Sequence, residues 1–364
     1  MSSGFRVFGV TWLLAGMLDV RAQAQQPAPT STETPAATAT PNPAPKSVPA
    51  SVPSPAATPA TADTIQEVLI EAPEPVYVAP TLRDRIGRIW APVRINGKGP
   101  FRLVLDTGAS NSAVTAHVAE SLGLTQDQSL TVRVHGVTGS AVVPAIRVAR
   151  LEVGEMYIDS STLPIVPDAF GGAEGVLGRE GLLDKRIFAD FGADRLVISR
   201  SHGDRAKVGY NIVPLKVTRE GLLAADVRIG TTKVRAIIDT GGQQTVGNIA
   251  LRDALMRRAP IDSRDEDIIG VTLDLQHGTN IRVPPLSFGT LTLRGVRVTF
   301  SDVFLFEHWK FDTEPTILIG MDVLGLFDKL IIDYKMHEMQ IRTRDVNGGM
   351  RLHVDPNEIP DRRF

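Results

Sequence analysis

Two short triplets are the residues best equipped for chemistry in this sequence: Asp106-Thr107-Gly108 and Asp239-Thr240-Gly241. Each closes an apolar run, Leu103-Val104-Leu105 in one case and Ala236-Ile237-Ile238 in the other. Four residues beyond each glycine stands a hydroxyl side chain, Ser112 and Thr245. Two carboxylates brought together can divide acid and base duties. One accepts a proton from a water, and the other, protonated, donates to the group under attack. Like charges in contact cannot both ionise, so such a pair shares a proton and titrates as a unit. Gly108 and Gly241 permit a tight loop whose backbone runs close to the carboxylate. A single triplet also reads as a strand entering an Asx turn, with the carboxylate accepting backbone N–H bonds. Recurrence at matched positions, with matched flanks, favours the chemical reading.

The elements that must position these residues are themselves duplicated. Val93-Arg94-Ile95 matches Val227-Arg228-Ile229, and Gly136-Val137-Thr138 matches Gly270-Val271-Thr272. Further on, Ile146-Arg147-Val148 matches Ile281-Arg282-Val283, Val176-Leu177-Gly178 matches Leu318-Ile319-Gly320, and Asp190-Phe191 matches Asp333-Tyr334. The offset stays near 134 and grows to about 143, which places a loop insertion late in the second copy. Fixed order and spacing over six blocks is the signature of an internal repeat. The copies are expected at residues 85–202 and 208–345. Each reads as mostly strand: Trp90 to Ile95, Phe101 to Leu105, Leu130 to Val134 and Val234 to Ile238 alternate apolar and polar residues between turn signals such as Asn96-Gly97. Helices are expected over Val114 to Leu122 and over Asn248 to Arg258, the latter capped by Asn248, with short ones after Gly178 and Gly320.

These residues resemble the aspartic peptidases of the retropepsin/pepsin group, over about 250 residues and both copies. The shared pattern is apolar-apolar-Asp-Thr-Gly, a glycine-bearing flap segment, then an apolar-apolar-Gly triplet before a short helix. Asp106-Thr107-Gly108-Ala109-Ser110-Asn111-Ser112 is close to the retropepsin form, whereas Asp239-Thr240-Gly241-Gly242 carries glycine where the group usually has Ala or Ser. The resemblance implies an all-β fold: two tandem retropepsin-like β-barrel domains forming a pseudo-twofold dimer within one chain. It implies a catalytic pair, Asp106 and Asp239, that hydrolyses peptide bonds through an activated water and needs no metal or organic cofactor. It implies that the hydroxyls of Thr107 and Thr240 cross the axis to the opposite loop. Ser112 and Thr245 would tie each loop back to the backbone, or serve as ordinary turn caps. The apolar triplets, whose glycines lie 72 and 81 residues after their aspartates, should pack under the two loops.

By the same resemblance a flap covers the cleft in each copy. The segments are Val134 to Val142, with Gly136, Val137, Thr138 and Gly139 at the tip, and Gly270 to Ile281, beginning with Gly270, Val271 and Thr272 and with His277-Gly278 near its tip. Neither carries the flap tyrosine of pepsins. His277 reads as a solvated loop histidine, with a pH-sensitive flap residue as the alternative. The partner implied is an extended polypeptide, an envelope protein being one such substrate. The copies pair within one chain, with pairing between chains as the alternative. The rival to an enzyme is a non-catalytic peptide- or partner-binding module on the same scaffold.

Composition removes other classes. The chain has 364 residues, 41 Asp+Glu against 39 Lys+Arg, and no cysteine. A net charge of −2 and 5% aromatics argue against a nucleic-acid partner. Zero Cys removes disulfides, thiolate metal sites and thiol nucleophiles. His-Glu-x-x-His, Gly-x-Ser-x-Gly and Walker A runs are all absent. The N-terminus reads as an export signal over residues 1–24: Arg6, the apolar run Val7 to Leu18, then Ala22-Gln23-Ala24. The protein is therefore expected in the periplasm or secreted, with a membrane tether only if the leader stays uncleaved. Ten of the 25 prolines fall in residues 25–62, an extended spacer by composition. Residues 63–84 form an N-terminal extension that regains hydrophobics, an edge strand or a propeptide-like piece, and residues 346–364 a polar tail.

Overall fold

In the first copy the Asn96-Gly97 turn joins strands Trp90–Ile95 and Lys98–Leu105. Both turn residues have positive φ, 51° and 76°, as a tight hairpin turn with the strands' own twist requires. The computed structural model that shows this describes residues 10–12, 76–80, 88–124, 130–153, 156–168, 171–256, 263–269 and 272–343. The readings of the spacer, of the tail and of most of the leader lie outside the described residues.

The first copy closes into a six-stranded barrel. Strand Lys98–Leu105 pairs in parallel with Gly175–Leu177, which pairs with Ala113–Thr115, which pairs in parallel with Met156–Val166. The long strand Gly139–Val153 completes the circuit against Trp90–Ile95. Alternate side chains of these strands (Ala91, Val93, Ile95, Leu103, Leu105, Leu151) fill the interior. Strand Thr131–Gly136 extends off the barrel as a hairpin with Gly139–Val153.

The second copy repeats the ladder in the same register. Ala236, Ile237 and Ile238 face Ile317, Leu318 and Ile319, just as Leu103, Val104 and Leu105 face Gly175, Val176 and Leu177. The counterpart of the long strand is broken. Leu275–Arg282 stops before Pro284-Pro285, and pairing with Leu223–Ile229 resumes only at Leu286–Phe288. Proline lacks the N–H that a central ladder needs.

A six-stranded sheet joins the copies in the order Asn211–Val217, Glu338–Arg342, Lys329–Asp333, Lys185–Asp190, Arg195–Arg200 and Val76–Pro80. Its halves are related by the repeat: Val76–Pro80 is to the first copy what Asn211–Val217 is to the second. Within residues 63–84 the described part, Val76–Pro80, lies at the edge of this sheet. At the seam Ile187 faces Ile332, and Arg186 binds the buried carboxylate of Asp333 at 2.8 Å. One continuous apolar core runs through the sheet into both barrels, so the copies belong to one compact unit. Three residues near the N-terminus, Val10–Trp12, pair in parallel with Asp267–Ile269.

Two sequence expectations shift. The first helix begins later than expected, at Ala116–Leu122, because Ala113–Thr115 is taken up by the barrel ladder; the second runs over Ile249–Met256. Asn248 does cap the second, its Oδ1 accepting the Leu251 amide at 2.8 Å. The second hairpin also turns elsewhere. His277 and Gly278 sit in mid-strand opposite Asp267 and Glu266, not near a tip. Gly278 is there for space, since a Cβ would come within 2.8 Å of Thr299 Cγ2.

Candidate active site

Asp106 and Asp239 end the two central strands, and each amide donates to the strand below it: Asp106 N–H to Leu177 O and Asp239 N–H to Ile319 O, both at 3.0 Å. The two apolar-apolar-Gly triplets therefore support the two loops in the same way. Each carboxylate turns back on its own loop. Asp106 Oδ1 accepts the amides of Gly108 (2.8 Å) and Ala109 (2.9 Å), and Asp239 Oδ1 those of Gly241 and Gly242 (both 3.0 Å). Neither Oδ2 receives a donor from the described protein groups.

The loops meet across the pseudo-twofold. The Thr107 amide donates to Thr240 Oγ1 and the Thr240 amide to Thr107 Oγ1, both at 3.1 Å. Each hydroxyl in turn donates to the far strand, Thr107 to Ile238 O and Thr240 to Leu105 O, both at 2.7 Å. Four reciprocal buried bonds leave the loops no freedom to slide. The result is close apposition: a Cβ on Gly241 would lie 2.2 Å from Asp106 Oδ2, and one on Gly108 would lie 2.9 Å from Asp239 Oδ1.

Both aspartates are fully buried. Burial pushes the Asp106 carboxyl well above the usual carboxylate range, and the facing Asp239 charge pushes it further. Asp239 is also raised by burial, against the pull of its two loop amides. The buried cation Arg88, at the start of the first barrel, draws both back down by a smaller amount.

The hydroxyls at the ends of the loops have acidic partners that sequence reasoning missed. Ser112 Oγ accepts the Gly178 amide (3.0 Å), and the Ser112 amide donates to Glu180 (2.6 Å). In the second copy Thr245 Oγ1 accepts the Gly320 amide (3.1 Å), and both the amide and the hydroxyl of Thr245 donate to Asp322, at 3.0 and 2.7 Å. Burial raises the Asp322 carboxyl to about 6. The signal was present in the repeat: an acid stands two residues after the glycine of each triplet. Thr245→Val is expected to cost about 1–3 kcal/mol, because it strands the buried Gly320 amide and removes the hydroxyl bond to Asp322, whose oxygens keep the amides of Val323 and Thr245. Ser112→Ala strands the equivalent Gly178 amide and should cost a similar amount. Thermal unfolding of both variants checks this.

The flap residues are only partly in view. Gly136, Val137, Thr138 and Gly139 form the tip of the first hairpin, and Thr138 Oγ1 lies 3.3 Å from Thr272 Oγ1 of the second copy. Gly270 and Val271 lie outside the described residues. His277 is exposed on its strand and contacts Asp267 at 2.6 Å. Among the described residues no three His, Asp or Glu side chains converge where a metal ion could be held.

Two loops of Asp-Thr-Gly clasped on a pseudo-twofold between two copies of one strand ladder define an acid-protease fold. A family model described as aspartyl protease matches residues 91–181 and 225–323, one segment per copy and together just over half of the chain. The chain belongs to the aspartyl protease family. A search of curated proteins returns no match.

Proposed function

We propose that this protein is an aspartic endopeptidase that cleaves an extended polypeptide bound between its two copies, with Asp106 and Asp239 as the catalytic pair. The observation that carries this reading is the pair itself. Two buried carboxylates, one per copy, have one oxygen held by loop amides and the other left for a reactant. The pair holds one proton. The ionised member takes a proton from a water, whose oxygen attacks the scissile carbonyl carbon, while the protonated member donates to the carbonyl oxygen. The tetrahedral diol collapses as the leaving nitrogen takes the proton that the pair holds, a diol hydroxyl returns its own to the pair, the C–N bond breaks, and the pair again holds one proton. Substrate main chain would pair with the flap and loop edges, with side chains alternating into pockets.

The test is digestion of a peptide library by the purified protein, with new termini read by mass spectrometry. Binding without cleavage at any pH would favour the non-catalytic module. The pH dependence follows from the raised carboxyls. Activity requires one proton on the pair, and it falls when that proton leaves or a second one joins. Burial shifts both steps upward, and neither Ala109 nor Gly242 has a side-chain donor to oppose it. The optimum is expected in the weakly acidic to neutral range. Ala109→Ser adds a donor beside Asp106 and should move the acid limb of kcat/KM to lower pH. A wild-type profile peaking below about 3 would count against the assignment.

A further inference from the structure

The late insertion in the second copy has a place in the structure. In the first copy the connection from Met156–Val166 to Gly175–Leu177 is residues 167–174, with no helix among its described residues. The equivalent connection in the second copy, residues 301–315, is about twice as long and carries the helix Phe304–His308 followed by Trp309.

The flap of the first copy lies on this added segment. Val137, at its tip, is fully buried in an apolar cluster with Val303, Leu305, Phe306 and Trp309 of the insertion and Leu318 of the barrel below. The Leu305 amide donates to Val137 O at 3.4 Å, at the end of a helix whose N-cap, Val303, supplies no side-chain acceptor. Beside the tip, the His135 ring stacks on His308, centroids 4.4 Å apart, and on Phe304 at 5.8 Å. The contact buries apolar surface, aligns aromatic faces and satisfies a helix-end amide together.

We propose that residues 301–315 of the second copy are a seat built for the flap of the first copy, with Phe304, Leu305 and His308 as positioning residues. The first flap is then the gate of the cleft. It must leave the seat to admit a polypeptide and return to exclude water from the buried aspartates. Its role as a gate rests on the endopeptidase reading; the seat does not.

Hydrogen exchange tests the seat without any need for activity. In His308→Ala, and separately in Phe304→Ala, amides 134–139 should exchange about tenfold faster, while the seam strands Lys185–Asp190 and Lys329–Asp333 keep their protection. Unchanged flap exchange in both variants overturns the seat. The gate is tested by covalent locking, which the absence of native cysteine makes clean. In the double variant His135→Cys, His308→Cys, a short cleavable thiol cross-linker should join the two positions. Peptide hydrolysis should then fall at least about tenfold and return on cleavage of the linker, whereas His308→Ala should change KM more than kcat. Full turnover in the locked protein overturns the gate. If the unlocked protein cleaves no peptide, the endopeptidase reading has failed and exchange alone decides the seat.

Discussion

Asp106→Asn and Asp239→Asn should each lower kcat/KM for peptide hydrolysis by roughly a thousandfold or more, and should each raise the melting temperature at pH 7. The loss follows from division of labour. An amide neither takes a proton from water nor shuttles one to the carbonyl oxygen, so one substitution removes half of a two-part acid–base device. The gain follows from linkage. Burial raises both carboxyls in the folded state, so above the unfolded value of about 4 the unfolded chain releases protons that the folded chain retains. Stability therefore declines as pH climbs from there through the folded values. Asparagine removes that cost while its carbonyl oxygen keeps the two loop amides. The stabilisation should amount to a few degrees at pH 7, on the order of 2–4 °C per kcal/mol, and should vanish below about pH 4. Thermal scans at both pH values, beside initial rates, settle it. Full activity in either variant would end the shared-pair mechanism, and equal melting temperatures at pH 7 would show that the pair is not strained.

Gly241→Ala should disable the site as thoroughly as loss of an aspartate, although it removes no functional group. The added methyl would stand 2.2 Å from Asp106 Cγ and Oδ2 and 2.6 Å from Oδ1. The loop that carries it cannot retreat, because Thr240 is tied to Thr107 and to Leu105 O. Asp106 must rotate instead and give up the amides of Gly108 and Ala109. A cost of about 1–3 kcal/mol is expected for such overpacking, with kcat falling by orders of magnitude. Gly108→Ala meets Asp239 Oδ1 at 2.9 Å and should be milder in both respects. The reverse order of severity would contradict the apposition described here.

Both outcomes concern residues that the one-dimensional pattern already picked out. A strand of alternating apolar residues that ends in Asp-Thr-Gly carries its own local instructions, and the repeat doubles them. What the pattern could not reveal was the acid that anchors each loop. Glu180 and Asp322 are ordinary acids by composition, and only the ladder that brings residue 178 to residue 112, and residue 320 to residue 245, turns them into loop anchors. Arg88 is likewise one of many arginines until the first barrel buries it near the pair. Gly278 resembles a turn residue in the sequence, but its reason is the close passage of Thr299, so the second hairpin turns elsewhere.

The division between sequence and tertiary structure is physical. Periodicity of two, turn chemistry and repetition are local quantities, so the chain by itself determined an all-β fold in two copies and named Asp106 and Asp239. Apposition is not local. That Thr107 meets Thr240 across 133 positions, that Val137 is buried against the helix Phe304–His308 of the other copy, and that Val76–Pro80 completes the joining sheet were decided by packing. An apolar core shared by both copies, not any spacing in the sequence, holds the two carboxylates face to face.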